Sequence, residues 1–95
     1  MTALRELRNI GDVVAAELEA AGIADAEALR AAGSVRAAAR LRAAGFDVCR
    51  SKLGGLEGAV RGLRWNLIPS EERRALWEEL QGLSAEGRGL LPSRP

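Results

Sequence analysis

Apolar residues recur along this chain at three- and four-residue spacing, in short runs broken by glycine, which is the pattern of a small helical bundle. Three of these runs stop at Ala-Ala-Gly, at 20–22, 31–33 and 43–45. Glycine just past a helix is the preferred left-handed cap. The pattern predicts a short helix over about 3–7, then helices over 13–21, 26–32 and 35–44. Asp12, Asp25 and Ser34 are the expected N-caps of the last three. A longer helix is expected over 50–63, with Leu53, Leu56, Val60 and Leu63 on one arc. The opposite arc holds Ser51, Gly54, Gly55, Gly58 and Gly62. Each interior glycine costs about 1 kcal/mol against alanine, so close approach of neighbouring backbones is the expected reason. This helix should then be central and buried on two sides. A dimer interface is the lesser reading of the same arc.

The segment Trp65-Asn66-Leu67-Ile68-Pro69 predicts a turn with an apolar anchor. Ser70 should cap a last helix over 71–81, ended by Gly82. Trp65 and Trp77 are expected as core and edge anchors. Together these elements predict an all-α, compact single domain of five or six helices over residues 1–83. Its N-terminal half resembles a helix-hairpin-helix, and its central helix is glycine-rich. Residues 84–95 are expected to form a flexible tail.

Composition narrows the chemistry. There is one cysteine, Cys49, and no histidine, so no Cys/His zinc site and no histidine acid–base catalysis is available. No metal and no cofactor is expected, nor a catalytic constellation or a small-molecule substrate. Glu71–Glu72 and Glu78–Glu79 are surface helix pairs. No apolar run has the ~20 residues that a membrane span needs, and no signal peptide is visible, so a cytoplasmic protein is expected. Net charge is +1, but it is blocked: acidic over 1–29, basic over 30–64, acidic again over 65–86. Such blocks either neutralise one another in the fold or present a basic face to a partner.

The stretch Leu7-Arg8-Asn9-Ile10-Gly11-Asp12 has the grammar of a tight turn between helices. Asn9 and Gly11 both tolerate positive φ, and Ile10 is the apolar plug between them. The hairpin residues Arg8, Asn9, Ile10 and Gly11 could aim backbone N–H groups at a phosphate, or form a corner with no ligand. Asp12 favours the corner: as N-cap, its carboxylate would occupy the amides a phosphate would use.

Leu56-Glu57-Gly58-Ala59-Val60-Arg61-Gly62-Leu63-Arg64-Trp65 resembles the Leu-Glu-Gly-Ala-x-x-Gly-x-x-Trp pattern of the TfoX C-terminal domain family, bacterial regulators of competence and DNA transformation. Upstream, Leu7-Arg8-Asn9-Ile10-Gly11 is similar to that family's opening Leu-x-Asn-Ile-Gly. Ala21-Gly22-Ile23 and Asp25-Ala26-Glu27-Ala28-Leu29-Arg30 resemble its next motifs. The match covers about residues 4–81. Where the family often has an aromatic before Leu-Glu-Gly, Gly54 and Gly55 stand here. This chain begins near the start of the C-terminal domain, and longer members carry a further N-terminal domain. The resemblance implies a helix-hairpin-helix-related fold and a non-catalytic regulatory role.

Two readings of function stand beside each other. In one, Arg36, Arg40, Arg42, Arg50, Lys52, Arg61 and Arg64 contact a nucleic-acid backbone without sequence preference. Aromatic residues barely interleave with these positions, so stacking on single strands is not expected. In the other, the chain is a protein-interaction or dimerisation module that does not touch DNA. Glu57 and Arg61 are spaced for an i,i+4 ion pair, which uses part of the basic set internally.

Overall fold

The computed structural model describes residues 2–89, with side chains over residues 2–83. Among these residues there are five α-helices and no strand: α1 Asp12–Ala20, α2 Ala26–Ala32, α3 Ser34–Ala43, α4 Arg50–Arg61 and α5 Ser70–Gly89. Two 3-10 turns, Leu4–Glu6 and Trp65–Leu67, complete the path. The first of these stands where a short helix over 3–7 was expected.

The three Ala-Ala-Gly stops do what their composition predicts. Gly22, Gly33 and Gly45 all have positive φ. After α1 the Ile23 N–H returns to the Leu18 carbonyl at 2.8 Å, and after α3 the Phe46 N–H returns to that of Leu41 at 2.9 Å. These six-to-one bonds satisfy carbonyls at the helix ends and turn the chain back sharply. Asp25 caps α2 as expected, accepting from the Ala28 N–H at 2.8 Å.

The other two predicted caps are displaced. The N-cap of α1 is Gly11 and that of α3 is Gly33; Asp12 and Ser34 are already helical. In both places a glycine precedes the polar residue and takes the non-helical cap position itself, extended at Gly11 and with positive φ at Gly33. Ser34 is buried, and its hydroxyl donates to Glu57 Oε1 on α4 instead of capping its own helix.

α3 and α4 form the middle of the domain. α3 packs on α1, α2, α4 and α5, and α4 packs on α2, α3, α5 and the 65–67 turn. Leu41, Leu53, Leu56 and Ala59 at their contact are fully or almost fully buried. Leu4, Ile10, Leu18 and Leu29 join the same core from the N-terminal half, and Leu80 joins it from α5. With few aromatics, the core closes by alanine packing, at Ala15, Ala37, Ala38 and Ala59. The N-terminus is held on α2: the Thr2 N–H donates to Glu27 at 2.9 Å, and Thr2 O accepts from Ala26 N at 2.9 Å. That Thr2 bond holds the Glu27 carboxyl below its ordinary value.

Two expectations about ends need correction. α4 stops at Arg61, because Gly62 adopts the left-handed cap, φ 75°. Gly62 is therefore not part of the interior glycine arc, and Leu63 lies beyond the helix and is exposed. α5 does not stop at Gly82 but runs to Gly89. The tail expected over 84–95 therefore begins within a helix, and residues 90–95 lie outside the described residues. Gly82 is an exposed helical glycine with open space around it. Gly82→Ala should raise stability by up to about 1 kcal/mol, from helix propensity alone. Thermal unfolding followed by circular dichroism would register this as a higher midpoint.

Candidate nucleic-acid interface

The hairpin is built around Asn9. Its φ is 69°, and it is the single non-glycine residue with positive φ among the described residues. Asparagine enters this region more readily than other side-chain-bearing residues. Ile10 is buried as the plug, and its N–H returns to the Leu7 carbonyl at 3.3 Å. Gly11, which tolerates positive φ, does not use it here and is extended at φ −91° and ψ −177°.

The Asn9 side chain reaches across to the end of α4. Its Nδ2 donates to Leu63 O at 3.0 Å and to Gly55 O at 3.4 Å. Gly58 makes room for it: a Cβ there would lie 2.5 Å from Asn9 Nδ2 and 2.6 Å from Leu63 O. A Cβ at Gly55 would sit 3.5 Å from Asn9 Cβ. The expectation of close approach thus holds at Gly58, against Asn9, Leu63 O and Trp65 N, whereas at Gly54 and Gly55 an added Cβ would meet its neighbours at ordinary contact distance. Leu7-Arg8-Asn9-Ile10-Gly11 and Leu56-Glu57-Gly58 are consequently one structural unit.

This junction opens a groove lined by Arg8, Asn9, Arg64, Trp65 and Asn66, with a volume of about 370 Å³. Arg8 and Arg64 are exposed, with no ion pair among the described residues. Trp65, expected in the core, is 44% exposed; the buried anchor of its turn is Ile68, at 1%. Arg73 covers the indole, with Cζ 5.1 Å from the ring centroid, and its Nε donates to Ile68 O at 3.1 Å. Arg73 thus packs on one face of a ring that also lines the groove.

Asp12 does not cap α1 as the sequence suggested, although it stays in the first turn of the helix. Its carboxylate pairs with Arg5 Nε at 3.2 Å and is 88% exposed. No side chain bonds the N-terminal amides of α1 at Gly11. The helix dipole leaves partial positive charge at these groups.

The remaining basic residues separate into engaged and open sets. Lys52 pairs with Glu17 at 2.7 Å and donates to Asp47 O. Arg61 bridges Glu57 and Glu72, as the i,i+4 spacing predicted for the first of them. Those two carboxylates, Glu57 first, hold the Arg61 proton more tightly than usual. Arg42 donates to Gln81 Oε1 and Val48 O, and both Arg42 and Arg50 lie over the half-buried Trp77, Cζ at 5.2 and 5.5 Å from its centroid. The acidic and basic blocks therefore do neutralise one another in part, between α4 and α1 and between α4 and α5. Arg36 and Arg40 are exposed on α3, and neither has an ion pair among the described residues.

A second groove, about 510 Å³, is lined by Arg42, Gly45, Phe46, Asp47, Val48 and Cys49. Its arginine is already bonded and Asp47 contributes a negative charge, so it suits an anion poorly. Cys49 caps α4, its Sγ accepting from Lys52 N at 3.4 Å. Among the described residues, no group of three or more His, Cys, Asp or Glu could hold a metal ion, and no helix is long and apolar enough to cross a membrane.

The profile of the TfoX C-terminal domain matches residues 1–80, almost the whole described fold. The chain belongs to the TfoX C-terminal domain family. Two crystal forms of Listeria monocytogenes proteins have the same fold. The triclinic form, an uncharacterized protein, is 38% identical, covering 85% of this chain and 92% of that one, with a TM-score of 0.77. The tetragonal form, a protein of unknown function, is 39% identical, covering 84% of this chain and 98% of that one, with a TM-score of 0.76. No curated protein matches the chain. The TfoX motifs carried by this sequence are those that meet at Asn9 and Gly58. Trp65 and Asn66 were missed as lining residues. The available signal was the position of Trp65 at the end of Gly62-x-x-Trp65, beside a glycine-capped helix end.

Proposed function

We propose that this TfoX C-terminal domain is a non-catalytic regulatory module, working in the cytoplasm, that holds the phosphate backbone of duplex DNA without reading bases. The observation that carries this reading is the junction at Asn9, with Arg8 and Arg64 lining one groove. Phosphate binding needs guanidinium groups not already spent on the fold, and these two qualify. Arg36 and Arg40 supply a second exposed pair on α3. Arg42, Lys52 and Arg61 serve the fold first, and Arg50 stacks on Trp77.

Titration of a labelled duplex by fluorescence anisotropy tests the proposal. Binding is expected at low salt with a dissociation constant on the order of 10⁻⁶–10⁻⁴ M, weakening steeply as salt rises. No binding at low salt in that range would overturn it. A protein-interaction role is favoured by one observation, the exposure of Val13, Leu63, Trp65 and Leu67. Sedimentation over a concentration range separates the two, because self-association without DNA binding supports only the second.

A further inference from the structure

We infer that the groove between the hairpin and the Trp65 turn receives one unpaired nucleotide of a DNA strand, its base on the indole and its phosphate between Arg8 and Arg64. The assignment rests on the nucleic-acid reading above and specifies what this groove adds to it. A surface that only tracks phosphates has no use for an exposed indole. Trp65 nevertheless lines the groove together with two open guanidinium groups, at 44% exposure. Tryptophan usually hides more of its ring, because the ring is the largest apolar surface any side chain offers.

The ring is also packed on one face. Arg73 lies over it and is itself tied to Ile68 O, and the turn is anchored by buried Ile68. A fixed aromatic plane loses little freedom when a base stacks on it, and every base has a π-face, so such a platform is sequence-tolerant. The Asn9 amide is turned inward onto Gly55 O and Leu63 O, which leaves the exposed Asn66 to meet a base edge. The volume of about 370 Å³ lies within the range of small-ligand sites, roughly 300–1,000 Å³. A base pair inside a duplex is stacked on both faces and cannot offer one to this plane, so along intact duplex the two guanidinium groups meet phosphates alone, and the indole is used only at an unpaired position, a gap or a strand end. Composition argued against stacking because aromatics are few; the fold places one of them beside Arg8 and Arg64.

The test uses the native chain with three labelled probes: a short thymidine strand, an abasic strand of the same length, and a blunt duplex. The two strands carry the same phosphates and differ in the bases alone. The thymidine strand should bind about ten-fold tighter than the abasic strand. Trp65→Ala should erase that difference, and Trp65→Phe should retain most of it. Equal binding of thymidine and abasic strands, with the blunt duplex still bound, overturns the groove assignment alone. Failure of all three probes overturns the nucleic-acid reading beneath it as well. An acidic peptide that competes as well as the thymidine strand would also overturn the assignment, since it carries charge without bases.

Discussion

Gly58→Ala is expected to destabilise the domain by roughly 2–3 kcal/mol, even though alanine is the better helix former. The added methyl would stand 2.5 Å from Asn9 Nδ2, 2.6 Å from Leu63 O and 3.3 Å from Trp65 N. Two of these are backbone atoms, which cannot swing away as a side-chain tip can. The Leu63 carbonyl is also the acceptor of Asn9 Nδ2, so relieving the collision breaks that bond. The helix-propensity gain of about 1 kcal/mol offsets only part of this. For a domain of this size the unfolding midpoint should fall by roughly 10–20 °C, measurable by circular dichroism. Gly82→Ala, the same substitution in an open part of α5, should move the midpoint the other way. The pair separates steric collision from helix propensity.

Asn9→Asp should be the second large effect, about 1–3 kcal/mol at neutral pH. The two side chains have nearly the same shape. The difference is that Nδ2, a donor to Leu63 O and Gly55 O, becomes an oxygen facing two carbonyl oxygens. That repulsion disfavours the ionised form, so the introduced carboxyl has a raised pKa in the folded state. A raised acid pKa means that the folded state binds more protons than the unfolded one. The penalty therefore sets in as pH rises above the unfolded value of about 3.9, and is complete above the folded pKa. Urea unfolding of the variant at acidic and neutral pH should show a smaller deficit at the acidic end. Asn9→Gly keeps the positive φ and loses only the hydrogen bonds, so it should cost about 1 kcal/mol with no such pH dependence.

These effects bear on what the sequence could disclose. Helix stops were legible wherever a glycine needed positive φ, as at Gly22, Gly33 and Gly45, because that requirement is local. Helix starts were legible at Asp25, which follows an alanine, and not at Asp12 or Ser34, which follow glycines able to take the cap position. Gly82 has the composition of a stop, yet α5 continues through it. Trp65 looked like core because tryptophan usually is; Ile68, three residues on, fills that place instead.

The groove was less legible for a different reason. Arg8 and Arg64 were each visible as basic residues, one in the hairpin and one at the end of a basic block. What joins them is the Asn9 bond to Leu63, across 54 residues of sequence, and no local period reports such a pairing. The family motif contained both halves of the junction without stating that they touch. The expected capping role of Asp12 failed because Gly11 takes the cap position, and the carboxylate pairs with Arg5 instead.

The junction at Asn9 is proposed to make a phosphate-binding face of Arg8 and Arg64. The most direct measurement is the salt dependence of duplex affinity for the native chain, for Arg8→Gln/Arg64→Gln and for Arg36→Gln/Arg40→Gln. Removing one guanidinium–phosphate pair reduces the slope of log affinity against log salt by about 0.9. Arg8→Gln/Arg64→Gln should lower the slope by about two units and weaken binding across unrelated sequences alike. A slope unchanged by that variant, with the weakening appearing in Arg36→Gln/Arg40→Gln instead, would contradict that proposal.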